Sequence, residues 1–393
     1  QYEVLSGHCA SGGRLMDAAR YAELGGDRHR LMGLIERSAV CYQHGIDVLE
    51  QVVDDASEDL RLEGLATLYL KLGRMTALMG MQDKAAKHLQ LAQEISADIL
   101  VPELEIGCIV ELGKLYVQQG KMSLARILLE QGLSEARVAG LQRPLVDLHI
   151  SMGHMALEDG QAKEAKEHFE AALEVASGQN DLAASAFSGL ANVHNRLGEL
   201  DLAMAALGQA RVLAEESGDA LLQSRIVNNM GTTFFANGDY MAALASFRDA
   251  LEVNRGAGYR RGVVYNLHNI GDVLFRQEEF ARAYTAFEQA RQIAKEHGLH
   301  REVAFNEVFL GYLLAQRGEW EEGLELLERG IDVAGKHSDV ESVLMGRWLQ
   351  GKLMGQAGRS TEGRSILEGA LGQAKTTEIA WLVRDIELEL EQL

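Results

Sequence analysis

Small and large side chains follow a fixed spacing along the chain, and one stretch shows the rule. In NNMGTTFFANGDYMAALASFRDALE, residues 228–252, Gly231 is followed twelve residues later by Ala243 and nineteen later by Ala250, with the large Phe247 between these alanines. The turn residues Asn-Gly divide the stretch, so it predicts two helices joined by a tight turn. Small residues at fixed points on both helices indicate that the two backbones approach closely.

This spacing recurs at steps of about forty residues, in nine registers. The first small position is occupied by Gly33, Gly73, Gly113, Gly153, Ala191, Gly231, Gly271, Gly311 and Gly351. Sixteen residues later stands a large apolar residue: Leu49, Leu89, Leu129, Phe169, Leu207, Phe247, Phe287, Leu327 or Leu367. Seven residues after the small position a glycine suited to a helix C-terminus recurs, with Val40 and Glu278 as exceptions. The registers predict an array of helix-turn-helix repeats.

The predicted fold is an all-α solenoid of about nine helix-turn-helix units with a C-terminal capping helix. We expect a partial helix or cap over 1–25, a degenerate unit over 26–65 and eight regular units over 66–375. The regular units are expected to start near residues 66, 106, 146, 184, 224, 264, 304 and 344. In residues 376–393 one helical face carries Ile379, Leu382, Val383, Ile386 and Leu390. This helix is expected to cover the apolar end of the stack.

The register is plain in LGKLYVQQGKMSLARILLEQGL (112–133), MGHMALEDGQAKEAKEHFEAAL (152–173) and IGDVLFRQEEFARAYTAFEQAR (270–291). In these segments the chain resembles the tetratricopeptide repeat family, and the resemblance covers nearly the whole chain. Its period of forty exceeds the usual 34 residues, and the proline that often closes a repeat is missing. Longer helices are implied, as in kinesin light chains, spindle-orientation adaptors and bacterial regulators. The resemblance also implies a right-handed superhelix with a concave groove.

The N-terminal part carries a further resemblance. Residues 12–51 are similar to the opening of tetratricopeptide regions that follow catalytic or nucleotide-binding modules in large bacterial signal transducers. The sequence starts with Gln1 rather than methionine. We therefore expect a fragment of a larger signalling or regulatory protein.

Charge and composition restrict the class of partner and the compartment. The formal net charge of −20 argues against nucleic acid and against an anionic membrane surface. We find no run of eighteen apolar residues and no signal-peptide pattern, which predicts a cytoplasmic protein. The three cysteines, Cys9, Cys41 and Cys108, are odd in number and far apart, which is typical of a reducing compartment.

Catalytic, cofactor and metal motifs are not expected. GCIVELGKL (107–115) lacks the spacing and the Ser or Thr of a phosphate-binding loop. His149 with His154 and Cys41 with His44 offer too few ligands for a closed zinc site. The sequence therefore predicts a protein that is not an enzyme and that holds no cofactor or metal.

One face of each first helix carries the candidate binding residues. Positions six and three before the small residue, and one and four after it, lie together and away from the second helix. In the tetratricopeptide family this face lines the concave groove. The predicted groove residues are Asn192, Asn195, Arg196, Arg225, Asn228, Thr232, Phe235, Tyr265, His268, Asp272, Phe275, Arg276, Tyr312 and Trp348.

These residue types suit an extended peptide. A side-chain amide can pair with both the donor and the acceptor of a peptide backbone, which is the role that the family resemblance implies for asparagine here. Arg196, Arg225 and Arg276 would form a positive strip that favours an acidic segment. The lysine that the family's two-carboxylate clamp needs is missing, so a cochaperone role is not expected. We predict a scaffold that binds a protein or peptide in the groove.

Two alternatives stay open. A small-ligand sensor of a bacterial regulator would show a closed pocket around Tyr265, His268 and Phe275. Self-association through the exposed end faces of the stack is the other.

Overall fold

The computed structural model of the chain describes residues 2–52 and 58–393. Within these residues the helices are α1 Tyr2–Ser11, α2 Leu15–Leu31, α3 Ile35–Leu49, α4 Glu58–Leu78, α5 Gln82–Asp98, α6 Pro102–Gln118, α7 Met122–Ala139, α8 Gln142–Glu158, α9 Ala162–Val175, α10 Asn180–Leu197, α11 Leu200–Ser217, α12 Ala220–Ala236, α13 Tyr240–Ala257, α14 Arg260–Arg276, α15 Phe280–Glu296, α16 His300–Gln316, α17 Trp320–Lys336, α18 Val340–Gln356, α19 Ser360–Thr376 and α20 Ala380–Gln392. No strand occurs in this described part, and the fold is the predicted right-handed all-α superhelical solenoid.

The helices pack in two layers. Each even-numbered helix from α2 to α18 pairs with the odd-numbered helix that follows it, and α20 packs on α19 at the C-terminal end. Consecutive even-numbered helices also contact one another along the stack, from α2 to α20. They form the inner layer, and the odd-numbered helices from α3 to α19 form the outer layer. None of the described helices is long and apolar enough to span a membrane.

The small positions lie where the paired helices meet. A Cβ atom on Gly231 would lie 2.6 Å from the ring of Phe247. The turn position has a left-handed backbone, with φ 81° at Gly238 and φ 61° at Glu278, which replaces the usual glycine. The packing role that the sequence predicted for the small residues is therefore confirmed at Gly231.

The first pair departs from the predicted register. Gly33 does not lie inside a helix, because it has φ 73° in the turn between α2 and α3. The small position is Gly26, seven residues earlier, where a Cβ atom would lie 2.3 Å from the ring of Tyr42. Val40, which the register assigned to the turn, lies within α3. The first pair therefore spans 15–49 rather than 26–65, and 53–57 of the expected unit lie outside the described residues.

Successive turns of the superhelix touch one another. A Cβ atom on Gly120, in the turn between α6 and α7, would lie 2.8 Å from Cα of His337, at the end of α17. Gly80 approaches the backbone oxygen of His297 in the same way, and Arg30 pairs with Asp219 at 2.8 Å. The early units therefore contact units about five further along the chain, and the inner layer surrounds a central space.

Candidate functional site

A cavity of about 430 Å³ lies inside the superhelix. The inner helices α8, α10, α12, α14, α16, α18 and α20 all contribute to its walls. Helices α8 and α20 are far apart in sequence and close here because the superhelical turns touch. This volume lies within the range of about 300–1,000 Å³ that is typical of pockets for small ligands.

Nine of the fourteen predicted groove residues line this cavity. They are Asn192, Asn195, Arg196, Thr232, Phe235, Tyr265, His268, Asp272 and Arg276. All nine lie on α10, α12 and α14, three consecutive inner helices. The face that the sequence singled out in the central units thus forms one wall of the cavity.

Two polar residues of the predicted set lie outside the cavity wall. Arg225 is exposed, and its Nη2 donates to Oγ of Ser185 at 2.8 Å. Asn228 belongs to an internal amide network. Its Oδ1 accepts from Nδ2 of Asn266 at 2.8 Å and from Nδ2 of Asn269 at 3.1 Å. Asn228 therefore joins α12 to α14.

Three aromatic residues of the predicted set are buried behind the wall. Phe275 packs edge-on against Tyr312 with ring centroids 5.4 Å apart, and both side chains belong to the core. Trp348 is buried on α18, and its ring lies 5.0 Å from the guanidinium carbon of Arg276. These rings shape the wall from behind.

The opposite wall comes from residues that the sequence did not single out. Arg301 at the start of α16 pairs with Glu158 of α8 and lies 2.9 Å from Oδ2 of Asp339. Arg196 lies 3.4 Å from Oε2 of Glu341 on α18. Arg301 and Glu341 lie in the first turns of α16 and α18 and Glu158 ends α8, all outside the four face positions of the repeat. We find no feature of the forty-residue register that would have identified them.

The three arginines of the predicted positive strip do not form one, because Arg196 and Arg276 have acidic partners and Arg225 lies outside the cavity wall. The wall carries four arginines (Arg196, Arg276, Arg301 and Arg384) and four carboxylates (Glu158, Asp272, Asp339 and Glu341). Arg276 lies 3.8 Å from Oδ1 of Asp272 and also pairs with Asp385. The wall is therefore balanced in charge.

Asp272 and Asn195 have unused hydrogen-bonding capacity. Burial raises the pKa of Asp272 to about 6, which the neighbouring Arg276 offsets only in part. Within the described part of the chain, Oδ1 of Asp272 and Oδ1 of Asn195 are buried without a hydrogen-bond donor. Buried acceptors without a partner are destabilising by about 1–3 kcal/mol each.

Two histidines on the wall are held neutral. The ring of His268 packs against Phe305 with centroids 4.4 Å apart, and its Nδ1 lies 3.2 Å from Oδ1 of Asn306. Burial lowers the pKa of His268 to about 4 and that of His154 to about 3. Both rings therefore act as neutral donors or acceptors at physiological pH.

We expect the folded chain to lose stability as the pH falls below about 6.5. Unfolded histidines bind protons near that pH, whereas His268 and His154 stay neutral in the fold, so their contribution is present above 6.5 and is lost as the pH falls through the folded pKa values. Asp272 has the opposite effect. Its contribution to the free energy of unfolding is present below pH 3.8 and is lost as the pH rises through about 6. Melting temperatures between pH 7.5 and 4.5 measure the sum. His268→Gln should flatten the profile, and an unchanged slope would contradict this assignment.

Comparison with known proteins agrees with this architecture. One family model described as Tetratricopeptide repeat matches residues 146–179, and another with that description matches 182–256, 222–296 and 262–336. The chain is a tetratricopeptide repeat protein. The overlapping matches of this repeat protein advance by forty residues, which is the step of its small positions.

Relatives of the tetratricopeptide repeat protein are distant in sequence. Protein KINESIN LIGHT CHAIN-RELATED 3 of Arabidopsis thaliana is 21% identical over 288 residues, which cover 62% of this chain and 44% of that relative. The chain thus spans less than half the length of that relative. A Rap protein complexed with Competence and Sporulation Factor has TM-score 0.60 and 16% identity, covering 84% of this chain and 99% of its own.

NprR in complex with its cognate peptide NprX is a second similar structure. Its TM-score is 0.56 at 13% identity, and the match covers 75% of this chain and 86% of NprR. At these identities the similarity to both structures concerns the superhelical fold.

Proposed function

We propose that this repeat protein is a non-enzymatic receptor or scaffold that binds an extended peptide segment of a partner in its central cavity. The observation that carries the proposal is the cavity wall on α10, α12 and α14, where amides, aromatic rings and a buried carboxylate lie together. A volume of about 430 Å³ suits a few residues of an extended chain and is too small for a folded domain.

The amides suit a peptide backbone. Asn192 and Asn195 lie one turn apart on α10, on the same face. Nδ2 of Asn195 donates to Oγ1 of Thr233 at 3.0 Å, which fixes the amide and leaves its Oδ1 to accept a backbone N–H. A fixed amide binds with a smaller loss of conformational entropy than a mobile one.

The aromatic and acidic groups favour a particular ligand chemistry. Phe235 and Trp381 lie about Arg276, with the guanidinium carbon 5.9 Å and 5.8 Å from their ring centroids. This cation is already paired with Asp385, and Oδ1 of Asp272 lies 3.8 Å from Nε of Arg276, too far for a hydrogen bond. We therefore propose that the ligand presents an N–H donor or a basic group to Asp272. The acidic ligand that the sequence suggested would face a wall of balanced charge.

The fold neighbours support a peptide as the class of ligand. NprR was solved in complex with its cognate peptide NprX, and the Rap protein was solved complexed with Competence and Sporulation Factor. NprR, which has a similar superhelical fold, therefore binds a peptide.

A small-ligand sensor is the second candidate, and the cavity volume of about 430 Å³ favours it. Tyr265 and His268 both line the cavity, as that alternative requires, while Phe275 lies behind the wall. Titration with a metabolite panel beside the peptide panel separates the two candidates.

The peptide proposal is tested by isothermal titration with a pooled library of short extended peptides, with free or acetylated N-termini and basic or acidic side chains. We expect Asn195→Ala to weaken the binding of a selected peptide by about tenfold, which corresponds to about 1.4 kcal/mol. Asn237→Ala is the matched control, because Asn237 is exposed in the turn after α12. Equal affinities for wild type and Asn195→Ala would reject the site, provided that the melting temperatures agree.

A further inference from the structure

Three side chains of types that can bind metal ions lie close together on the first three helices. Glu3 lies on α1, His29 on α2 and Cys41 on α3. Sγ of Cys41 lies 3.6 Å from Nδ1 of His29 and 3.5 Å from Oε1 of Glu3. Nδ1 of His29 lies 3.7 Å from the same carboxylate oxygen. This triangle is remote from the central cavity, whose wall starts at α8.

The size of the triangle matches one face of a zinc coordination tetrahedron. Zinc binds a thiolate at about 2.3 Å, an imidazole at about 2.0–2.1 Å and a carboxylate at about 2.0–2.2 Å, so tetrahedral ligand atoms lie roughly 3.3–3.6 Å apart. The three observed separations exceed this range by at most a few tenths of an ångström. An ion can therefore be seated with small side-chain movements.

We propose that Glu3, His29 and Cys41 bind one zinc ion. One sulfur, one nitrogen and one oxygen donor form a set that suits zinc, whereas magnesium and calcium prefer oxygen ligands alone. Three protein ligands leave the fourth position open to water or to a group from a partner. Binding displaces the thiol proton of Cys41, so it releases a proton and strengthens as the pH rises.

The surroundings of the triangle permit an ion to reach it. Cys41 is buried and the side chain of His29 is 18% exposed, while that of Glu3 is 63% exposed. The carboxylate thus forms the solvent side of the site. Gly25 lies beside Cys41, and a Cβ atom there would lie 3.7 Å from Sγ, so no side chain at this position crowds the thiol.

The ion would join three helices at the end of the array. A zinc ion held by α1, α2 and α3 would stabilise this end, because binding free energy adds to folding free energy. The sequence offered Cys41 only with His44, and these two ligands are too few for a closed zinc site. His44 is exposed on the same helix and outside the triangle.

Zinc titration of the reduced, chelator-treated chain tests the proposal. Isothermal titration should show one zinc ion per chain and a raised melting temperature, and cobalt should give a thiolate-to-cobalt charge-transfer band. Cys41→Ser, His29→Gln and Glu3→Gln should each weaken zinc binding more than about 100-fold, since loss of an outer-shell partner alone typically weakens it about 10–100-fold. His44→Ala is the control and should bind zinc as wild type does.

Three outcomes overturn the proposal: no zinc binding, a cobalt spectrum without the thiolate band, or an affinity that the three substitutions leave unchanged. If Cys41→Ser fails to fold, Glu3→Gln still decides, because the Glu3 side chain is largely exposed.

Discussion

Replacing Gly311 by alanine is expected to lower the free energy of unfolding by about 3 kcal/mol, the upper part of the range for overpacked contacts. The added Cβ atom would lie 2.5 Å from the backbone oxygen of Gly323 and 2.5 Å from the backbone nitrogen of Leu327. Backbone atoms cannot move aside by a change of rotamer. Helices α16 and α17 would therefore have to separate, and the apolar contacts between them would weaken.

Two other glycines provide matched controls. For a Cβ atom on Gly271, in the same register, the nearest atoms belong to the ring of Phe287, at 2.7 Å, rather than to backbone, so Gly271→Ala should cost less. Gly369 lies on α19 with open space around it, and Gly369→Ala should add up to about 1 kcal/mol through helix propensity. Denaturant titration and thermal melting measure all three. Equal losses for Gly311→Ala and Gly271→Ala would show that the backbone contact between α16 and α17 does not limit stability.

Asp272→Asn is expected to raise the free energy of unfolding by about 3 kcal/mol at pH 7.5, because a pKa shift of about two units corresponds to about 3 kcal/mol. Burial raises the pKa of this carboxyl from 3.8 to about 6, so its charged form is disfavoured in the fold. The gain should shrink as the pH falls from 6 toward 3.8, and it should vanish below 3.8, where folded and unfolded Asp272 are both protonated. Melting temperatures of the variant and wild type at pH 7.5 and 4.5 measure this difference.

The same substitution should weaken binding of a peptide that carries a basic group. Asp249→Asn is the control, because Asp249 is exposed on α13 and its replacement should change neither stability nor binding. A loss of stability in Asp272→Asn would mean that pairing with Arg276 outweighs burial. A gain in stability with loss of binding would indicate a charge retained for recognition rather than for folding.

The repeat geometry could be predicted from sequence because it depends on local packing. Gly231 and Phe247 are sixteen residues apart, and a helix, a turn and a second helix bring them together at a distance set by backbone geometry. The same reasoning went wrong in the first pair. There the forty-residue step expects a helix glycine at Gly33, but Gly33 lies in a turn and the packed glycine is Gly26, seven residues earlier.

The cavity wall on α10, α12 and α14 could be predicted from the sequence, and the opposite wall could not. Asn195 and Asp272 follow from helical periodicity within one unit. Arg301 meets Glu158 only because α16 comes to lie near α8, and that depends on a small rotation between units accumulated over several repeats. The sequence predicts Asn228 to line the groove because it lies three residues before Gly231, on the face that lines the groove. Its Oδ1 instead accepts a hydrogen bond from Asn266 on the next inner helix, and the Asn228 side chain is half-buried.

The contact between successive superhelical turns changes how unfolding should spread. In an open repeat array each unit touches only its sequence neighbours, so the array melts from its ends like a one-dimensional chain. Here the turn at Gly120 also rests on His337, and Arg30 pairs with Asp219. These units thus contact their neighbours along the chain and also units on the next turn of the superhelix. Loss of the last units removes support from units near the middle, and the protein gains the cooperativity of a globular domain.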